Sequence, residues 1–480
     1  MSASNLMRGS LLFPLLLTAG SACRSVPDAE VGFVTKWTEA HYALARAERL
    51  SPPVASRATA YAAVALYEGW ATGSDSLLSL AGKLNGLDSL PRPESGRIDR
   101  ALVAVEAQTV VLRHVFKGGF ASTDVAITAL RDSLLGVRRA AGVEQAVADR
   151  SLAYGGRLGA AIVAWADQDG FSARPLTFAL GSEPKSWVPT AISSQFRPQN
   201  LSAQTDVVLL DNPTGKQAGA LTGERSLTVN RPKTPAAANT PGINPTQALE
   251  PGWNTLRPFV LTGAKQCAPP APLAFSTEKG SPFYLEADSI YRLTNNLTEE
   301  QKKIAYFWAD NPGESGTPAG HWMSVIANVS KQWALSPERA VEAYALTAIA
   351  VADAFIGCWD AKYSTDLLRP VTYINRYIDK DWQPLLNTPP FPTYTSGHST
   401  QSAAAAEVLT GLFGDRAYDD PTHVTLGHPV KRLASFRAAA EEAGMSRWYG
   451  GIHFPMDHEG GRAQGNCIGK QVLERAKTRR

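Results

Sequence analysis

The chain is poor in cysteine, in charge of one sign and in long apolar runs, and each scarcity removes a class of protein. Four cysteines occur in 480 residues, and Cys267, Cys358 and Cys467 lack the paired spacing of a zinc site. No disulfide framework is expected to hold the fold together. Lys and Arg number 47 against 44 Asp and Glu, a net charge of +3 without a polybasic run. That balance lacks the electrostatic footprint of a nucleic-acid binder. Beyond the N-terminus no uninterrupted apolar stretch reaches the roughly 18 residues that a bilayer span requires. Alternation of period two is scarce, which argues against a core built on sheets. No helical His-Glu-x-x-His pairing is present, so a zinc hydrolase using His321, His453 and His458 has little support.

What the chain does have begins with a leader. Arg8 precedes the apolar run Leu11–Leu17, and small residues Ala19-Gly20-Ser21-Ala22 lead to Cys23. Residues 1–22 therefore read as an export signal, placing the mature protein in the periplasm or outside the cell. Lipidation at Cys23 would tether it, although Gly20 stands where a lipoprotein signal usually carries Leu.

Helical periodicity dominates the rest. It runs through Val31–Ala71 with a break at Ser51-Pro52-Pro53, then through Arg97–Phe116, Asp124–Leu135 and Val143–Asp167. Thr298 and Gln301 form a capping-box pattern, and Ser336-Pro337 opens a long Ala-rich helix toward Trp359. Between them, residues 173–273 are rich in Pro, Thr, Asn and Gly. This composition suits short strands or turns wrapped around a helical core, and by itself would equally suit a linker. The expected fold is mainly α, a multi-helix bundle with irregular wrapping segments, with 23–480 as a single domain.

Three segments in the last third carry chemistry. They are Lys362-Tyr-Ser-Thr-Asp-Leu-Leu-Arg369-Pro370, Tyr394-Thr395-Ser396-Gly397-His398, and Ser446-Arg447 through His453 to Asp457. On a continuous helix Lys362 and Arg369 would share a face, because two turns cover about 7.2 residues. Ser396-Gly397-His398 precedes an Ala-rich run and so sits at a helix N-terminus, which offers unpaired N–H groups to an anion. Gly397 allows close backbone approach. Gly450-Gly451 predicts a bend between Arg447 and His453. Asp457 can accept from one nitrogen of His453 and turn the other toward a ligand. Singly these residues would be surface charges, caps or core histidines; together they describe one oxyanion pocket.

These segments resemble the signature of the vanadium-dependent haloperoxidase and type 2 phosphatidic-acid phosphatase superfamily: Lys, six residues, Arg-Pro; Pro-Ser-Gly-His; Ser-Arg, five residues, His, three residues, Asp. Thr395 stands where Pro is usual. The likeness is closest to the soluble bacterial haloperoxidase-like branch and extends from Leu256-Arg257-Pro258-Phe259 through Gly320-His321-Trp322 to the end, with the motifs in 359–457. It implies a helical bundle holding vanadate, with phosphate able to occupy the same pocket. Lys362, Arg369, Ser396, Gly397 and Arg447 would hold the equatorial oxygens, His453 would be the axial ligand to the metal, and His398 the acid–base group. Lys362 would share in catalysis, and Trp359 and Phe391 would sit beside the halide. The implied partners are hydrogen peroxide, a halide (iodide or bromide ahead of chloride) and an organic acceptor. The same residues would also serve a soluble acid phosphatase working through a phosphohistidine, or a non-catalytic oxyanion-binding protein.

Overall fold

The structure, a computed structural model, describes residues 31–190 and 248–479. The leader, Cys23 and the middle of the Pro/Thr/Asn-rich segment lie outside the described residues. Helices α1 (Val31–Ala47) and α2 (Pro52–Ala71) part at Ser51, which is extended ahead of two prolines. Proline costs nothing in a first turn, where its missing N–H would have no acceptor. α3 (Arg100–Val115) begins at Asp99, whose carboxylate accepts from the Leu102 amide. α4 (Ala121–Ala140) and α5 (Gln145–Ala166) complete the all-helical first third.

After the irregular segment come α6 (Pro282–Thr294), α7 (Glu299–Phe307) and α8 (Thr317–Gln332). Thr298 and Gln301 close the expected capping box on α7. α9 (Pro337–Thr365) starts at Ser336, whose hydroxyl accepts from the Arg339 amide. α10 (Pro370–Tyr377), α11 (Gly397–Phe413), α12 (Phe436–Tyr449) and α13 (Pro455–Arg475) follow. Among the described residues the sheet content is one antiparallel pair, β1 (Tyr418–Asp420) with β2 (Lys431–Leu433).

α9 is the axle. It is 29 residues long and apolar enough to cross a bilayer, yet that apolar window is wholly buried inside the protein. α2, α8, α11 and α13 pack around it. α13 approaches α11 closely because Gly461, Gly465 and Gly469 face it; a Cβ at Gly465 would fall 2.1 Å from the Thr400 carbonyl oxygen. This contact holds the start of α11 against the start of α13, and the candidate site lies at those two ends.

The structure corrects the sequence reading at three places in the fold. Cys267 and Cys467 form a disulfide across 200 residues, pinning the irregular segment to α13; a pairing that distant leaves no spacing to read. Of the 173–273 segment, the described parts contain turns and 3-10 helix such as Trp253–Thr255, with no strand. They are held by individual polar ties: Asp353 of α9 accepts from the amides of Phe259, Val260 and Leu261. Lys362 and Arg369 do not share a helix face. α9 stops at Thr365, Asp366 turns left-handed (φ 47°), and Arg369 is the residue before α10.

Candidate active site

That break brings the first segment's cations to the same place from two directions. Lys362 comes from the last turn of α9 and Arg369 from the cap of α10, and both are fully buried. Ser396 caps α11, its hydroxyl accepting from the Ser399 amide at 3.4 Å. The amides of Gly397 and His398 belong to a first helical turn, where N–H groups have no acceptor within the helix. Arg447 lies in the last turn of α12, and Gly450 with Gly451 (φ 74°) reverses the chain so that His453 returns ahead of α13. Asp457 sits in the first turn of α13. All three segments converge.

The histidine that the resemblance marks as metal ligand has a defined tautomer. His453 Nδ1 donates to Asp457 Oδ2 at 2.8 Å, so Nε2 carries the lone pair, and it accepts from Arg369 Nη1 at 3.1 Å. Asp457 is itself fixed by the Phe454 amide at 3.0 Å and by the Thr393 hydroxyl. Burial, then the neighbouring Arg369, Lys362 and Arg447, hold His453 well below the ordinary histidine range. It is a neutral ring with an available lone pair at physiological pH.

His398 has the complementary arrangement. Its Nε2 is a buried atom with no hydrogen-bond partner among the described residues, and the Trp308 carbonyl lies close enough to favour the protonated ring. Burial, then Arg447, holds it well below the usual range too. Arg447 Nη1 donates to the same carbonyl at 3.1 Å.

Lys362 meets the backbone of the loop before Ser396. Its ammonium donates to the carbonyls of Pro392 at 3.0 Å, Thr393 at 2.9 Å and Thr395 at 2.5 Å. All of its protons are thereby engaged by the loop that leads into Ser396. Burial lowers its pKa, and Arg369 works in the same direction. Lys362 thus organises the loop while adding positive charge to the pocket. Thr395, in the position of the usual Pro, does not loosen this turn. It is buried, with its hydroxyl donating to Gln464 Oε1 at 3.0 Å.

Phe391 and Trp359 are both buried, their centroids 5.0 Å apart. Phe391 also faces Lys362 Nζ at 4.9 Å and Arg369 Cζ at 4.7 Å, so its ring borders the cationic pocket as well as the core. Arg369 Nε donates to Phe391 O and Nη1 to Ile452 O, each at 2.8 Å.

An oxyanion such as vanadate fits this set. Arg369 Nη2 and Arg447 Nε are buried donors with no partner among the described residues, and a buried guanidinium N–H without an acceptor is costly. Burial lowers Arg369 to about 9 and Arg447 to about 10, so both remain charged at neutral pH. A Cβ on Gly397 would touch only the Trp359 ring, at 3.7 Å, so packing alone does not demand glycine there. Arg369 and Arg447, both charged, outnumber the Asp457 carboxylate, while burial lowers Lys362 to about 7, so an excess of positive charge is left for an anion to balance.

The other histidines lie in separate networks and do not assemble a zinc site with His453. His458 is not a solvated neighbour but is buried, joining Ser399 Oγ and Glu441 Oε1 at 3.0 Å each. His321 is buried, with Nδ1 2.9 Å from Asp310 and Nε2 2.9 Å from Asp420. His423 Nε2 contacts the other Asp310 oxygen at 3.0 Å. Ligand-type atoms of Asp310, His321 and His423 lie within 4.8 Å of one another. Both His321 nitrogens face carboxylates, however, and although burial favours the neutral ring, Asp310 and Asp420 raise its pKa to about 10. A doubly donating imidazolium has no lone pair for a metal.

Residues that motif reading missed are Thr393, Trp308 and the Asp310–His321–Asp420 network. A threonine hydroxyl and a backbone carbonyl leave no trace in spacing. Gly320-His321-Trp322 stood out, but its acidic partners are 11 and 99 residues away.

Comparison with known proteins agrees with this geometry. A family model described as the second helical-bundle domain of VCPO matches residues 342–480. A solved bacterial vanadium-dependent iodoperoxidase is 34% identical, with a TM-score of 0.76, covering 94% of this chain and 98% of that one. The holo form of a bacterial vanadium-dependent chloroperoxidase is 14% identical with a TM-score of 0.61, covering 90% and 93%, and its apo form is 16% identical at 0.62, covering 89% and 94%; these two show likeness of fold. No protein of curated function matches. With one relative above 30% identity along almost its whole length, the chain belongs to the vanadium-dependent haloperoxidase family.

Proposed function

We propose that the protein oxidises a halide, iodide or bromide ahead of chloride, with hydrogen peroxide, using vanadate held between the ends of α9, α11, α12 and α13. The observation that carries this is the 34% identity to a vanadium-dependent iodoperoxidase along almost the whole chain, joined to a pair of neutral histidines at the site. His453 Nε2 presents a lone pair fixed by Asp457, and the His398 ring is neutral, with its buried Nε2 unpartnered among the described residues. Anion storage alone would need neither.

Bound vanadate would supply Lewis acidity toward peroxide without changing its own oxidation state. Arg369 Nη2, Arg447 Nε and the first-turn amides at Gly397 would hold its oxygens, and His453 Nε2 would ligate the metal once Arg369 Nη1 shifts from it. The neutral His398 ring would accept the proton of incoming peroxide and return it to the leaving oxygen. Lys362, bonded to three carbonyls, would keep the 392–395 loop in register and favour negative charge on the reacting oxygens. Phe391 and Trp359 form an apolar wall beside these cations, suited to a weakly hydrated halide such as iodide or bromide. An oxidised halogen would then pass to an organic acceptor.

We further propose that the protein is exported, periplasmic or secreted, with 1–22 as its signal and 23–480 as one domain. The Cys267–Cys467 disulfide supports this reading, because such bonds persist in oxidising compartments. A lipid at Cys23 would make it a tethered protein.

The test compares iodide and bromide oxidation by vanadate-loaded protein with phosphomonoester hydrolysis by vanadate-free protein. Halide oxidation that His453→Ala abolishes is the expected result. Hydrolysis alone would assign the pocket to a phosphatase.

A further inference from the structure

Thr393 stands where the loop before α11 meets the first turn of α13. Its amide donates to Leu367 O at 2.9 Å, between α9 and α10, and its carbonyl accepts from Lys362 Nζ at 2.9 Å. Both backbone groups are thereby tied. Branching at Cβ restricts χ1 as well, so the fully buried side chain has little freedom of direction. Its hydroxyl donates to Asp457 Oδ2 and lies 3.3 Å from His453 Nδ1.

Asp457 Oδ2 accepts from three groups, the Phe454 amide at 3.0 Å, the Thr393 hydroxyl and His453 Nδ1 at 2.8 Å, whereas Oδ1 is buried with no partner among the described residues. An oxygen that takes an amide proton and a hydroxyl proton carries none of its own. The proton shared with the imidazole therefore belongs to Nδ1, and the lone pair lies on Nε2. The three donors differ in origin. His453 and Phe454 lie within four residues of Asp457 and move with the start of α13. Thr393 is 64 residues away and is anchored, through Lys362 and Leu367, to the end of α9. Of the observed partners of this carboxylate it alone ties Asp457 to the rest of the pocket.

We propose that Thr393 is a positioning residue for His453: its hydroxyl, joined to Asp457 Oδ2, holds carboxylate and imidazole in the register that keeps the proton on Nδ1 and aims Nε2 at the oxyanion. The role rests on the reading of His453 as the metal ligand made above. Without the hydroxyl, Oδ1 and Oδ2 become more nearly equivalent acceptors, the carboxylate turns about its Cβ–Cγ bond, and both imidazole tautomers are populated. Lys362 gains a second task by the same route. Holding the Thr393 carbonyl, it sets the residue that orients His453, so the first and third segments of the site are coupled through the loop between them.

The test uses full-length protein and compares Thr393→Val, which keeps the shape and loses the hydroxyl, with Thr393→Ser, which keeps the hydroxyl. Thr393→Ala stands in if the valine variant fails to fold. The expected result is a vanadate dissociation constant, read by calorimetry, raised roughly 10- to 100-fold in Thr393→Val, as for other groups that orient a metal-ligating histidine. Thr393→Ser returns it close to the wild-type value. KM for iodide at saturating vanadate stays unchanged, a split that general loosening of the pocket would not give. Imidazole 15N spectra of phosphate-loaded protein, with His453 assigned by its loss in His453→Ala, show one Nδ1–H form in the wild type and in Thr393→Ser, and a tautomer mixture in Thr393→Val. Unchanged affinity and a single tautomer in the folded valine variant overturn the proposal. So does a loss of affinity that serine fails to restore, because the hydroxyl is then not its cause. A wild-type spectrum with the proton of His453 on Nε2 overturns it without any variant. If the wild type oxidises no halide, the functional reading fails, while the His453 spectra still decide the role of Thr393.

Discussion

Arg369→Lys separates charge from shape in the oxyanion pocket. Arg369 engages Phe391 O through Nε, and Ile452 O and His453 Nε2 through Nη1, leaving Nη2 as a buried donor without a partner among the described residues. Lysine keeps the positive charge but ends in a single nitrogen. It cannot span the two carbonyls and still direct a donor at the anion. What the ligand loses is one hydrogen bond to a charged group, about 1.5–3 kcal/mol. That corresponds to roughly a 10- to 150-fold weaker vanadate dissociation constant. The two carbonyls lose a partner too, so the variant melts lower, and the titration belongs at a temperature where circular dichroism shows it folded. Calorimetric titration of vanadate into protein freed of anion reads the effect directly. An unchanged dissociation constant in the folded variant would refute the placement of Nη2 at the ligand.

Gly397→Ala should weaken vanadate binding while leaving stability equal or raised by about 0.4–1 kcal/mol, because its added Cβ meets only Trp359 at 3.7 Å; a lower melting temperature would show that packing demands the glycine. Replacing Cys267 and Cys467 with serine should cost about 2–4 kcal/mol in denaturant unfolding, with kcat retained in the folded fraction, since the bond ties a wrapping segment to α13. Glu68 should contribute a loss of stability as pH rises through its window. Burial raises this carboxyl to about 7 despite bonds from the Leu80 amide and the Ser79 hydroxyl. The folded state therefore binds more protons than the unfolded state between about 4.3 and the raised value, and the stability present at low pH is lost on crossing it. Glu68→Gln should flatten that slope in melting temperatures measured across the range; an unaltered slope would exclude Glu68 as its source.

Much of the helical scaffold was legible because its signals are local. Thr298 with Gln301, Ser336 with Pro337, and Ser51 before its prolines each act within one turn, and each begins a helix where the pattern put it. The convergence of Lys362, Arg369, Ser396, Gly397, His398, Arg447, His453 and Asp457 was legible as a pattern of residue types and spacings. How they converge was not. The left-handed Asp366 that separates Lys362 from Arg369 depends on tertiary bonds, its backbone carbonyl accepting from the Trp187 amide at 3.0 Å. Lys362 bonds backbone carbonyls, which every residue carries, so no side-chain motif marks the loop as its partner. The disulfide and the Asp420–His321 contact join positions 200 and 99 residues apart, where a lone sequence holds no record of proximity.

The most direct test of the central claim is to titrate anion-free wild-type protein with vanadate while following iodide oxidation by peroxide. Activity should be absent at the start, rise to a plateau at one vanadate per chain, and decline as inorganic phosphate is added in competition. Oxidation that proceeds equally without vanadate, or that phosphate leaves untouched, would contradict a single oxyanion pocket as the seat of the reaction.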